Sequence, residues 1–423
     1  MKVLVIGGGG KEHAIVWKLS QSRHISKVYC CPGNPGIAGI AELIDIRPDD
    51  FNALIDFAKY EWIDFTIVGS GQVFSRDIVP LFEREGCRIF GAGRTAAKAE
   101  SSRVFAKNLM RLHRIPTAEY KVFNSYLQAE DHIRMKGAPI VIKTDGFADA
   151  SIFRAKTVEE ATEILKKIMN ERMFGDAGNQ VIVEKDLQGE QFTFVALTDG
   201  KTVRPLTSLV VCRNLYDNNR GPVTIGMGAY SPAPIVTREL GETITDKIML
   251  PLAKALGADG MPYKGFLSAD IVLHKGVATV LGFHGNFSDP DIQAILPRLK
   301  TDFVDMALAV MEERLSDVVI EWEHESSVWV VMASKEYPGQ DTKGATINGL
   351  ELIQQLNDVV VFHEDTAFQN SSVVSAGGRV ISIAAAGAGI EAAREQAYNA
   401  ADMVHFEGMR FRTDIGILSK EAL

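Results

Sequence analysis

The sequence predicts an α/β amino-terminal domain built on a parallel sheet, then a larger α+β region, then a small α+β closing domain. Three observations carry that reading. Through residues 1–95, short β-branched runs alternate with helix-length stretches; from about residue 100 the runs pair across tight turns; the last hundred residues hold three strand-like runs and one helix. Apolar runs separated by helix-length segments belong to strands covered on both faces, which is how parallel strands with crossover helices read in sequence.

The first strands are expected at 3–6, 27–31, 65–68 and 88–90, each followed by a glycine-containing turn. A helix over 101–113 runs into Ile115-Pro116-Thr117, where the proline starts an extended segment. The run Ala138-Pro139-Ile140-Val141-Ile142-Lys143 is a strand ending on a lysine. A helix follows over 157–169, with Glu159 and Glu160 in the first turn where the helix dipole favours them. Strands at 181–184 and 192–197 flank Gly189-Glu190, a long helix covers 238–256, and strands at 265–273 and 278–283 meet at Lys275-Gly276. The closing domain has strands at 327–333, 358–362 and 379–384 and a helix over 390–404. We expect boundaries at 1–100, 101–326 with a subdomain near 118–190, and 327–423.

The 423 residues agree with about three domains at roughly 150 residues each. With 54 acidic against 45 basic residues the net charge is −9, which argues against nucleic acid as a partner. An anionic ligand must then be held by local backbone N–H groups and a few cations. No apolar stretch approaches a membrane span, and the opening apolar run is too short for a signal peptide, so a cytoplasmic protein is expected, without a membrane partner. The four cysteines follow neither a metal nor a disulfide spacing.

The strand-to-helix turn Gly7-Gly8-Gly9-Gly10 exposes N–H groups at a helix amino terminus, a setting that suits a phosphate. It is not the dinucleotide fingerprint, because the third glycine position is Glu12.

Several further runs stand in a fixed order: Pro32-Gly33-Asn34-Pro35-Gly36, the lysine-ending strand 138–143, residues 226–234, Tyr263-Lys264-Gly265, Pro297-Arg298-Leu299, Gly377-Gly378-Arg379-Val380 and Asp414-Ile415-Gly416. In this order, along essentially the whole chain, the sequence resembles the glycinamide ribonucleotide synthetase (phosphoribosylamine–glycine ligase) family. The resemblance implies an ATP-grasp fold in the central region. It also implies ATP and magnesium as cofactors if the chain is active, with small-molecule ligands: a nucleotide, a sugar phosphate or an amino acid. In the family reaction ATP phosphorylates the glycine carboxylate, and the amine of phosphoribosylamine then displaces phosphate. Such chemistry needs cationic clamps and a metal over the triphosphate.

Carried over position by position, the resemblance implies ATP contacts at Arg103, Lys143, Glu184 and Glu190. It implies substrate contacts at Gly8, Gly9, Gly10, Asn34, Arg213 and Gly226. Elsewhere the family's residues are replaced. The loop after Lys143 reads Thr144-Asp145-Gly146-Phe147-Ala148-Asp149-Ala150-Ser151, without the family's later glycines and lysine. Gly282 and His284 stand where the family holds magnesium through glutamate and asparagine, and Asn286 replaces an arginine. Magnesium favours hard oxygen ligands, so glycine and imidazole do not serve it. Asp270 and Asp289 are the weak remaining metal candidates. Leu209, Val210 and Val211 make the former substrate segment apolar, and Val223 and Ile225 replace an amide and a glycine. The catalytic residues are unknown.

These replacements cluster on chemistry and spare the scaffold. The expectation is a folded, divergent paralogue with lost or altered ligase activity and, if it is non-catalytic, a protein partner. The alternatives are an active carbon–nitrogen ligase with altered metal or substrate use, and an enzyme repurposed for a less charged substrate.

Overall fold

A computed structural model describes residues 1–418 apart from 75, 92, 147–150, 258–261, 324 and 340–342. Strands β1 (Lys2–Gly7), β2 (Lys27–Pro32), β3 (Glu42–Leu43), β4 (Phe65–Val68) and β5 (Ile89–Phe90) form a parallel sheet in the order β3-β2-β1-β4-β5. The centre of β1, Val3 to Ile6, is solvent-inaccessible, as two-sided helix cover demands. The parallel amino-terminal sheet is therefore as the alternating texture predicted.

Strands β6 (Tyr120–Phe123), β7 (Ile140–Thr144), β8 (Ile152–Ala155) and β9 (Val181–Lys185) form a small antiparallel sheet in the order β6-β9-β7-β8. Helices Tyr126–Lys136 and Val158–Met169 cover it, packing Ala129, Ile133, Ala161, Leu165 and Ile168 against Phe123, Ile142 and Val183. Residues 147–150, the middle of the loop singled out in the sequence, lie outside the described residues.

The largest sheet contains β10 (Glu190–Thr198), β11 (Val203–Tyr216), β12 (Arg220–Ser231), β13 (Gly265–His274), β14 (Val277–His284), β15 (Ser326–Ala333), β16 (Val359–His363) and β19 (Arg379–Gly387). Its order is β14-β13-β10-β11-β12-β15-β19-β16, antiparallel throughout, so strands of the closing region continue the central sheet. A separate hairpin joins β17 (Thr366–Gln369) to β18 (Ser372–Ser375). The α+β reading with mainly antiparallel pairing is thus found beyond residue 100. The expected helix over 238–256 is present with one modification: Thr245–Met249 widens into a π turn before Leu250–Leu256. Pro251 lacks an N–H and would press on the carbonyl four residues back, and the wider turn relieves that clash.

Candidate functional site

Arg103 opens helix Arg103–Leu112, which Ser102 caps by accepting from the Phe105 N–H. Its Nη1 donates to Thr144 O at 2.9 Å, Gly146 O at 3.2 Å and Ser151 Oγ at 2.9 Å, so the guanidinium joins the two ends of the segment around 147–150. One turn along the helix, Lys107 Nζ lies 2.9 Å from Glu184 Oε1. Lys143 Nζ, on the neighbouring strand, lies 2.9 Å from Glu184 Oε2 and donates to Leu281 O at 3.0 Å. Lys143 and Glu184 share a face because β7 and β9 pair antiparallel with Val141 opposite Glu184. All three side chains are buried. Burial works to raise the Glu184 carboxyl, but the two lysines outweigh it and hold it below the usual range. Burial, together with the Lys143 charge, lowers Lys107 to about 8. Two ammonium groups against one carboxylate leave a net positive charge where β7, β9 and β14 meet, a setting that attracts an anion. Glu190 is exposed at the head of β10.

On the large sheet, Asp270 faces Gly282 across the β13–β14 pair. Its carboxylate accepts from Thr193 Oγ1 at 2.7 Å, and Arg213 Nη2 lies 3.2 Å from Oδ2. His284 Nε2 is 3.6 Å from the same oxygen. Burial alone would raise this carboxyl; Arg213 and His284 hold it well below the usual carboxylate range. Nearby, burial pushes Asp291 up to about 6, with the Asp270 charge adding to the effect. Asp289 belongs to a different pair, with Arg379, and also accepts from Gln293 Nε2 at 3.3 Å. The two candidate metal carboxylates are therefore each held by an arginine. Among the described residues, the set of three metal-capable side chains within mutual reach is His24, Asp302 and Asp305, and contains neither Asp270 nor Asp289.

At the glycine turn, Glu12 folds back so that its Oε2 accepts from the Gly9 N–H at 2.7 Å. A Cβ at Gly8 would stand 2.5 Å from Gly33 O, so the two backbones need a glycine to approach this closely. A Cβ at Gly10 would stand 2.5 Å from Glu364 Cγ. Asn34 is buried; its Nδ2 donates to Gly8 O at 2.9 Å and to His363 O at 2.8 Å, while its Oδ1 accepts from the Ile37 N–H. These bonds tie the amino-terminal sheet to the closing region. On β12, Gly226 donates to Thr224 Oγ1, and its absent Cβ would meet Val211. Val223 and Ile225 are exposed beside it. Arg213 Nη1 reaches Ile225 O at 3.3 Å, which fixes the guanidinium between β12 and Asp270.

The chain matches the phosphoribosylglycinamide synthetase N domain over residues 1–100, its ATP-grasp (A) domain over 101–292 and its C domain over 327–418. It belongs to the phosphoribosylamine–glycine ligase family. A phosphoribosylamine–glycine ligase of Caldanaerobacter subterraneus is 41% identical over 416 residues, covering 98% of this chain and 99% of the relative. One from Escherichia coli O6:H1 is 40% identical, with 98% of each chain covered. The crystal structure of the Thermotoga maritima phosphoribosylamine–glycine ligase superposes with a TM-score of 0.82 at 26% identity, covering 98% of this chain and all of that one. A biotin carboxylase domain from Hydrogenobacter thermophilus shares the fold at 14% identity and a TM-score of 0.75.

Within this family fold, the structure brings Lys143 and Glu184 together, and Arg213 and Asp270 together. It separates Asp270 from Asp289 into two ion pairs. Reading the sequence missed Lys107, although its spacing of four from Arg103 places both on one helix face. It also missed Glu364, which no local pattern marks. The donor set at 270, 282 and 284 does not fit magnesium: the carboxylate is engaged by a guanidinium, the glycine offers no ligand, and the imidazole is a softer donor. No helix among the described residues is long and apolar enough to cross a membrane.

Proposed function

We propose that this chain is a divergent member of the phosphoribosylamine–glycine ligase family that keeps a nucleotide-binding side and has lost or altered its ligase reaction. The observation that carries the reading is the Arg213–Asp270–His284 cluster, which fills with the protein's own guanidinium and imidazole the place where the family resemblance expects a metal held by oxygen ligands. On the retained side, Lys143 and Lys107 supply excess positive charge for ATP phosphates and Arg103 fixes the neighbouring segment. Glu184 orients both lysines, and Glu190, exposed at the head of β10, is the carboxylate this reading assigns to ribose hydroxyls. Residues 1–100, 101–326 and 327–423 take the substrate, nucleotide and closing roles in this reading. If the chain is non-catalytic, its ligands are small molecules and its output passes to a protein partner.

The second reading, an active carbon–nitrogen ligase with altered metal or substrate use, is favoured by the end-to-end identity of about two in five with named ligases. One experiment separates the two. Purified protein receives ATP, magnesium, glycine and phosphoribosylamine, and ADP and phosphate release is followed; calorimetry measures ATP binding with and without magnesium. The proposal expects no release above a blank and ATP affinity unchanged by magnesium. Sustained turnover that depends on both glycine and phosphoribosylamine would overturn it.

A further inference from the structure

We propose that Glu364 is a built-in carboxylate occupant of an anion site formed by the amino end of helix Gly10–Ser20 and Arg379, and that it closes this site to phosphate monoesters. The inference deepens the reading above, on which it rests for the identity of the substrate side.

The helix is 11 residues long, so its first N–H groups and dipole favour negative charge at Gly10. A second, independent group points to the same charge. Arg379 is buried at 6% exposure, and its Nη1 has no hydrogen-bond partner among the described residues. Between these two features stands Glu364. Its Cγ is 2.5 Å from where a Gly10 Cβ would be, and its Oε2 forms an ion pair with Arg379 Nε at 2.7 Å. The absence of a side chain at Gly10 is what gives this carboxylate its room. Its backbone is pinned as well, because the Glu364 N–H bonds to Val380 O at 3.0 Å at the edge of the large sheet.

Asp289 holds the other side of Arg379. One guanidinium therefore already faces two carboxylates, and an entering phosphate dianion would be the third anion around it. Lys11 Nζ donates to Phe287 O at 2.9 Å, and its charge acts on Asp289 rather than on Glu364. Like charges juxtaposed in a buried site cost several powers of ten in affinity, so the phosphate is rejected as long as Glu364 stays. The ligand accepted at this end of the molecule is then one without a phosphate group, in line with the exposed Val223 and Ile225 on β12.

The test is calorimetric titration of the full chain with inorganic phosphate at pH 8, without nucleotide, metal or glycine, so that its outcome is independent of ligase turnover. Wild-type protein should show no binding in the millimolar range. Glu364→Ala and the shape-preserving Glu364→Gln should each bind phosphate roughly a hundredfold more tightly than wild type. Adding Arg379→Met to Glu364→Ala should remove the gain. The proposal is overturned if wild type binds phosphate as tightly as the variants. It is equally overturned if Glu364→Gln, folded by circular dichroism, gains nothing.

Discussion

Arg213 Nη2 lies 3.2 Å from Asp270 Oδ2, so a residue that the family resemblance assigns to substrate and one it leaves for metal satisfy each other. About a quarter of the Asp270 side chain and over a third of the Arg213 side chain still meet solvent, so the pair is partly screened. Its effect is on what else can bind. A carboxylate already opposed by a guanidinium has little to offer a divalent ion. Arg213→Ala should let the Asp270 carboxyl rise toward its ordinary value, because the largest favourable charge is removed while burial persists. Carbon-detected NMR titration of the side-chain carboxyl reads this directly; an unmoved titration would show that His284 and Thr193 suffice.

Restoring the oxygen ligands tests whether the metal site alone limits the chemistry. A Cβ at Gly282 would meet nothing within 4 Å, so the first carbon of a new side chain has room. The double change Gly282→Glu with His284→Asn should therefore melt within a few degrees of wild type, yet recover no ligase turnover, since Arg213, Asn286 and Glu364 remain. On the proposed reading of a lost or altered ligase reaction, glycine-dependent ADP release gained by this variant over wild type would place the change at these two positions.

The buried Lys107–Glu184–Lys143 cluster gives a stability prediction. Glu184→Ala leaves two ammonium groups buried together without a counter-charge, and breaking such a pair costs about 3–5 kcal/mol. Replacing Lys107 by methionine at the same time should return part of that loss, because the cluster then holds one charge instead of two. Urea unfolding of the single and double variants measures both numbers.

Much of this arrangement was legible before any coordinates. The runs ending on Lys143 and on Glu184 are found as β7 and β9, and local apolar patterning was enough to place them. The β11–β12 hairpin was not identified, because its strands of 14 and 12 residues mix short apolar runs such as Leu209–Val211 with proline, glycine and charged residues, and the mixture breaks any regular alternation. Its turn was nonetheless written in Asn218-Asn219, both at positive φ, the dipeptide type that tight hairpins favour. The Asp270–Arg213 and Glu364–Arg379 pairs could not be read. The first reaches from β13 across β10 to β11 and the second joins the end of β16 to its neighbour β19, so only the sheet order brings the partners close, and no local spacing encodes a partner chosen by tertiary packing.

A pH dependence follows from Glu364. Burial pushes its carboxyl from the ordinary 4.5 up to about 7. Between those values the folded protein keeps a proton that the unfolded chain releases, so stability from this group is complete at low pH and is lost as the pH rises through 7. Facing it are Arg379 and Asp289 from the neighbouring elements, Ser382 on β19, and Asp365 beside it. Relative to Glu364→Gln, wild type should lose up to about 1.4 kcal/mol of unfolding free energy per pH unit across this window. Chemical denaturation at pH 5 and pH 8 decides it; parallel behaviour of the two proteins would mean that the carboxyl titrates elsewhere.

The contact between Gly10 and Glu364 can be isolated by a double-mutant cycle. Gly10→Ala drives a methyl group to 2.5 Å from Glu364 Cγ, an overpacking that costs about 1–3 kcal/mol if the glutamate cannot swing away. Its backbone is tied to Val380 and its carboxylate to Arg379, so little swing is available. Glu364→Ala removes the obstacle, and the double variant should then be more stable than the sum of the two single losses predicts. Gly8→Ala serves as the contrast: its methyl would meet the backbone oxygen of Gly33 at 2.5 Å, which no side-chain change at 364 relieves. Unfolding free energies of Gly10→Ala, Gly8→Ala and Glu364→Ala, singly and in both pairs, should show coupling for residue 10 and simple addition for residue 8. Additivity at both positions would mean that the Glu364 side chain does not lie against the turn in solution.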